Sequence, residues 1–279
     1  MRVARPFHVV AAVLVVITFC AIARGATREG HTFSTEGAEI FYRVAGSGEP
    51  LLLLHGGTQA GSMWDEDLDD LSARYRVIVP DLRGHGASTN PNQVWSTHQF
   101  ARDTYALLDH LGVKRFRAIG ASAGAMTLLH MAISQPGRFE ALVVVGAGTY
   151  IPTSCREILE RVNVDDLSES EWNRLRARHI HGDEQIKGLY SWVASLAEDD
   201  TDLVVTPPQL SRITAPTLVV HGDRDYCFPA SMAWEIFDAI PTAYLWVVPN
   251  GGHVPIHGPH REVFLNHVLQ LFGGDWEPR

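Results

Sequence analysis

Apolar positions follow two rhythms along the chain. In "HTFSTEGAEIFYRVAG" two short runs of apolar and β-branched residues flank Glu36 and Gly37, which predicts a β-hairpin. Further on come compact runs that are apolar throughout, at 51–54, 75–79, 116–119, 141–145, 216–220 and 244–248. Runs without alternation suit strands covered on both faces of a parallel sheet. Between most of them the apolar positions recur at helical spacing. In "THQFARDTYALLDHLGV", Phe100, Tyr105, Leu107, Leu108 and Leu111 fall near one face. Thr97 is placed to cap that helix and Gly112 to end it. Strands alternating with helices predict right-handed βαβ units in a doubly wound, mostly parallel α/β sheet.

One interval breaks the alternation. Between residues 150 and 206 no strand run occurs, and "SESEWNRLRARHI" and "EQIKGLYSWVASL" read as charged helices. The interval is too long for a simple connection, so it predicts an inserted helical cap. The expected organisation is a leader at 1–23, a first core segment at 24–149, the cap at 150–206 and a second core segment at 207–279. The leader reading rests on Arg2 and Arg5, an apolar run from Phe7, and Ala21 and Ala23 at A-x-A spacing. That run is short for a membrane span, so the expectation is export with cleavage, a secreted or periplasmic protein, and no stable membrane anchor afterwards.

The totals narrow the function. Apolar residues make up 46% of the 279, enough for a sizeable core. A formal charge of −9 without a long basic run argues against a nucleic-acid partner. Cys155 and Cys227 remain after the leader. Export would expose them to oxidation, so a disulfide is open to them. Because spacing alone carries no geometry, two ordinary, partly buried thiols are the expectation.

The chemistry gathers behind the strand runs. In "IGASAGAMTL", Ser122 sits where a strand gives way to a helix, with Gly120 and Gly124 two residues to either side. Small neighbours let strand and helix approach closely and lift a hydroxyl above the sheet edge, beside a helix N-terminus. Such a serine needs a base, and the base an orienting acid. "TLVVHGDRDYCFP" puts Asp223 and Asp225 just after one strand run, and "LWVVPNGGHVP" puts His253 just after the next. Loops at the carboxyl ends of parallel strands open on one edge, so these residues converge. Asp225 is the preferred orienter, with Asp223 capping or bracing the turn. An oxyanion would be held by backbone N–H groups of Ala123 and, from "HGGTQAGSMW", of Gly57, with Thr58 as second choice.

Together "LLLLHGGTQAGSMW", "VIVPDLRGHGAST", "IGASAGA", "HGDRDYCFP" and "NGGHVP" resemble the α/β-hydrolase superfamily over nearly all of the chain after the leader. The resemblance implies the α/β-hydrolase fold and a triad of Ser122, Asp225 and His253. The G-x-x-D pattern from Gly222 supports Asp225 over Asp223. Asp81, Arg83 and His85 match the family's structural turn and imply scaffold roles. Relatives that hydrolyse epoxides or remove halogens carry Asp at the serine position, so Ser122 implies acyl chemistry instead. Thr58 after Gly57 departs from the histidine-led glycine run of one esterase branch. Ala121 and Ala123 stand where bulkier side chains are common, and imply room for a wider acyl group.

The expected activity is hydrolysis of carboxylic esters of small molecules, with no cofactor and no metal. Lactonase, amidase, perhydrolase and carbon–carbon bond hydrolase chemistry can use the same three residues. A ligand receptor on the same fold is the alternative outside catalysis. Trp172, Tyr190 and Trp192 are candidates to line a pocket under the cap, although aromatic residues at helical spacing also form cap core. His179, His181 and Asp183 in "HIHGDE" mimic a metallohydrolase H-x-H-x-D, but Glu184 follows where another histidine is needed, and a solvated polar face is expected.

Overall fold

The structure, a computed structural model, describes residues 30–277; the leader read at residues 1–23 lies outside them. The strands are β1 (Gly30–Thr35), β2 (Ala38–Ala45), β3 (Pro50–Leu54), β4 (Arg76–Pro80), β5 (Phe116–Ala121), β6 (Phe139–Val145), β7 (Thr217–Gly222) and β8 (Ala243–Val248). They form one sheet in the order β1-β2-β4-β3-β5-β6-β7-β8. The β1–β2 hairpin is antiparallel and pairs antiparallel to β4. Every other pairing is parallel.

Helices cover both faces. They are α1 (Leu68–Ser72), α2 (Thr97–His110), α3 (Ala123–Ser134), α4 (Thr153–Leu159), α5 (Glu169–Arg178), α6 (Asp183–Ser195), α7 (Pro207–Leu210), α8 (Ala230–Ala239) and α9 (Arg261–Gly273). The strand period of two splits each apolar run between two cores. Leu52, Leu54, Leu142 and Val144 pack with α2, α3 and α8 on one face. Leu51, Leu53, Val143 and Val145 pack with α1 and α9 on the other. All four leucines of β3 are fully buried, and burial of each contributes about 1.5–3 kcal/mol. The loops after β3, β5, β7 and β8 leave this sheet at its carboxyl edge.

Helix α2 begins one residue earlier than its sequence pattern suggested. Ser96 is the cap: its backbone is extended and its side chain accepts the Gln99 N–H. Thr97 is already helical and buried, and its N–H goes to Asp202. Gly112 takes the positive φ of 68° that follows the helix end.

Helices α4, α5 and α6 leave the sheet between β6 and β7 and lie over its carboxyl edge. Ser96 Oγ donates to Asp202 (2.7 Å) and Arg156 pairs with Asp200 (2.7 Å), tying this region to the core and to itself. Cys155 of α4 is bonded to Cys227 of the loop after β7. The expectation of two free thiols is thus overturned. The folded helical segment carries Cys155 down onto that loop, a proximity that 72 residues of separation conceal. Among the described residues, no helix is long and apolar enough to cross a membrane.

Candidate active site

Ser122 stands between β5 and α3 with φ 50° and ψ −118°. A non-glycine residue in that region is strained and persists only where its surroundings fix it. Here the Ser122 N–H donates to Val145 O (2.8 Å) and its carbonyl accepts the Met126 N–H (2.9 Å). The glycines on either side are required by space. A Cβ on Gly124 would lie 2.5 Å from the carbonyl oxygens of Leu54 and His55, and one on Gly120 would lie 2.7 Å from Gly124 O. Helix α3 can therefore press against β3 and β5 only with glycine at both places.

His253 follows β8 and bridges two side chains. Its Nε2 lies 2.9 Å from Ser122 Oγ, and its Nδ1 lies 2.8 Å from Asp225 Oδ2. Asp225 follows β7, and its other oxygen accepts from the N–H groups of Cys227 (2.8 Å) and Phe228 (3.0 Å). Burial alone would raise the Asp225 pKa. The hydrogen bond and charge of His253 and the two backbone donors outweigh it, and the net direction is down. An ionised carboxylate only accepts, so Nδ1 of His253 carries its proton and Nε2 faces Ser122 as an acceptor. The arrangement can remove a proton from the Ser122 hydroxyl and hold the resulting imidazolium.

The loop after β3 closes the other side. A Cβ on Gly56 would lie 3.3 Å from Ser122 Cβ, and one on Gly57 would lie 3.9 Å from Ala123 Cβ. Gly57 and Ala123 thus come together beside the hydroxyl. Ala123 opens α3, and no carbonyl within that helix can take its N–H. Thr58 borders the same space with φ 58°.

Two cavities meet at Ser122. One of about 200 Å³ runs under the helical segment between Met126, Ile151, Ile158, Leu159, Trp192 and Leu196, with Cys155 and Cys227 in its wall. The other, about 410 Å³, lies on the His253 side and is bordered by Gln59, Met63, Val254 and His257. Tyr226 borders both, its ring centroid 5.4 Å from that of His253.

Several expectations need correction. Of the three aromatic candidates, Trp192 lines the apolar cavity, whereas Trp172 and Tyr190 line neither cavity at Ser122. Tyr190 is two residues from Trp192, so the two face different ways on α6. Trp172 lies under the Arg176 guanidinium, 5.0 Å from its ring centre, on a helix whose one buried residue is Leu175. Ala121 is buried in the core below the sheet, so of the two alanines only Ala123 borders the cavity. Asp223 is exposed, its carboxylate 3.9 Å from Arg224, and its side chain neither caps nor braces the turn. His221 lies behind Asp225 instead, fully buried, its Nε2 2.9 Å from Phe228 O and 3.8 Å from Asp225 Oδ2.

The "HIHGDE" residues divide. His181, which meets Ala87 O, Asp183, which pairs with Arg176, and Glu184 form the expected solvated polar face, whereas His179 turns inward and is buried. Among the described residues, no group of three His, Cys, Asp or Glu is placed to hold a metal ion. Asp81, Arg83 and His85 lie away from Ser122. Asp81 accepts from Gly61 N (2.6 Å) and Ala87 N (2.8 Å), and Arg83 makes a buried two-pronged pair with Asp103, both contacts 2.7 Å.

Comparison with known proteins agrees with this architecture. A family described as alpha/beta hydrolase fold matches residues 49–177. An uncharacterized protein of Mycobacterium bovis is 35% identical over 77% of this chain and 73% of its own length. A 2-hydroxy-6-oxo-6-(2'-aminophenyl)hexa-2,4-dienoic acid hydrolase of Metapseudomonas resinovorans is 24% identical over 84% of this chain and 88% of its own. The solved structure of an esterase from a Rhodococcus species superposes with a TM-score of 0.67 at 25% identity, covering 88% of this chain and 98% of that one.

Proposed function

The chain belongs to the α/β-hydrolase superfamily, and on that premise we propose that it hydrolyses carboxylic esters of small molecules through an acyl-enzyme on Ser122. The observation that carries this reading is His253 bridging Ser122 and the ionised Asp225 at 2.9 and 2.8 Å. Ser122 Oγ attacks the ester carbonyl as His253 takes its proton. The charge that develops on the carbonyl oxygen is held by the N–H groups of Gly57 and Ala123. His253 then protonates the departing alcohol, and the same residues direct water at the acyl-enzyme. The apolar cavity takes the acyl group. The more polar one, on the side of the proton donor, takes the alcohol.

Carbon–carbon bond hydrolysis of an acidic ketone is the second reading. It is favoured by the dienoic acid hydrolase among the relatives. The leader and the disulfide beside the cavity both suit an oxidising compartment outside the cytoplasm, and we place the mature protein there.

The test is labelling by a fluorophosphonate, followed by turnover of a p-nitrophenyl ester series and of a 2-hydroxy-6-oxo-dienoate. Labelling lost in Ser122→Ala, with esters turned over well above the dienoate, supports the esterase reading. The reverse preference selects carbon–carbon cleavage. Full labelling of Ser122→Ala removes the serine from the mechanism.

A further inference from the structure

Thr58 is a β-branched residue at φ 58°, a conformation disfavoured for such side chains. It follows Gly57 directly, so whatever fixes Thr58 also fixes the peptide planes beside the oxyanion donor. The fixing groups come from the inserted helical segment. Thr58 O accepts from His179 Nε2 (3.0 Å) and from Arg178 Nη1 (3.2 Å), both at the C-terminal end of α5.

His179 is itself anchored from below. The Gly86 N–H donates to its Nδ1 (2.9 Å), and the neighbouring Ile180 N–H donates back to Gly86 O (3.2 Å). An N–H donating to Nδ1 leaves the proton on Nε2, which is the nitrogen facing Thr58 O. One fully buried imidazole therefore joins three segments: the cap, the turn after β4 and the loop after β3.

We propose that His179 is a positioning residue for the oxyanion site: it holds Thr58, and through it Gly57, in place, so that the site is complete only with the helical segment seated. This rests on the hydrolase reading above. His179 touches neither substrate nor Ser122. Its effect belongs to the transition state, where charge sits on the carbonyl oxygen, and not to ground-state binding.

The experiment compares wild type, His179→Ala and His179→Gln, each normalised to its fluorophosphonate-titrated active sites. Glutamine supplies one acceptor and one donor, as the neutral imidazole does. In His179→Ala, kcat per titrated site should fall by about ten- to a hundred-fold with KM little changed, short of the roughly hundred- to thousand-fold of losing an oxyanion donor outright. Affinity for a trifluoromethyl ketone should fall by a similar factor. That probe bonds its carbonyl carbon to Ser122 Oγ, sends the π pair to oxygen and passes the serine proton to His253. His179→Gln should recover most of both losses. In a Thr58→Gly background, where the backbone relaxes into the same conformation unaided, the alanine penalty should shrink.

If His179→Ala keeps kcat and ketone affinity per titrated site, or if kcat and KM change alike in the alanine and glutamine variants, the proposal is wrong while the hydrolase reading stands. If wild type is not labelled at Ser122, both fall together.

Discussion

Cys227 ties Asp225 to the helical segment: its N–H donates to Asp225 Oδ1 at 2.8 Å, and its sulfur is bonded to Cys155 of α4. The loop that orients His253 is therefore stapled to the helical segment that roofs the apolar cavity.

Removing the staple should weaken both. Closing a loop of 72 residues restricts the unfolded chain, and such cross-links typically contribute about 2–4 kcal/mol. Cys155→Ser with Cys227→Ser should lower the denaturant midpoint accordingly. Ester turnover should fall as the Asp225 loop loosens. The wild type treated with reductant should behave alike. Unchanged midpoint and turnover after mass spectrometry has verified reduction would show that the staple holds nothing.

The two aspartates should separate cleanly. Asparagine at 225 offers an NH₂ that can favour the wrong imidazole tautomer, a change that costs roughly 10⁴-fold in kcat at comparable sites. Asp223 is exposed, so Asp223→Asn should stay within about 0.5 kcal/mol in stability and close to wild type in turnover. Turnover rates of both variants on one activated ester decide the matter, and equal losses would contradict the assignment.

Chain-length preference should follow Trp192. This residue lines the apolar cavity and also an outer cavity of about 440 Å³ bordered by Gln93, Trp95, Ser191 and Ser195. Its ring is stacked on Trp95 and lies edge-on to Phe100. Trp192→Ala should open one space into the other and move the optimum of a p-nitrophenyl ester series to longer acyl chains. It should also cost about 3–5 kcal/mol of stability. Ala123→Met should shift the optimum the other way. An optimum that stays put in both variants would mean the acyl group binds elsewhere.

Acid should destabilise the fold through its buried imidazoles. Burial lowers the His179 pKa to about 4 from an ordinary 6.5; Arg178 and His55 add to this, and the Thr58 bond and Asp81 oppose it. Burial likewise lowers His55 and, more strongly, His85. The unfolded chain then binds more protons than the folded one below pH 6.5, so stability is full above that pH and is lost as pH falls toward 4. A single group shifted as far as His179 accounts for on the order of 3 kcal/mol. Unfolding midpoints measured between pH 7 and pH 4 should slope downward, and less steeply in His179→Gln. A flat profile would mean these rings are protonated at no cost.

The middle of the sheet was legible because β3 to β7 are buried on both faces and so stand out as unbroken apolar runs. Ser122, Asp225 and His253 were legible for a related reason: each follows such a run directly, and the fold brings those loops to one edge. What escaped has the opposite character. His179 meets Thr58 O and Gly86 N, which are backbone groups and leave no mark in the sequence. Cys155 meets Cys227 only after the helical segment has docked. The α2 cap moved from Thr97 to Ser96 because both hydroxyl residues suit the position and Asp202, more than 100 residues on, takes the Thr97 N–H. Trp192 was named with Trp172 and Tyr190 because helical spacing alone does not say which face of α5 or α6 turns toward Ser122.

The disulfide also divides the molecule in an unexpected way. Ser122 precedes Cys155, whereas Asp225 and His253 stand on the Cys227 side of the bridge. A protease that cuts the roof between α4 and β7 would make two polypeptides, one holding the serine and the other its acid and base. The bridge would keep them a single covalent molecule, so such a nicked form would come apart only once reduced.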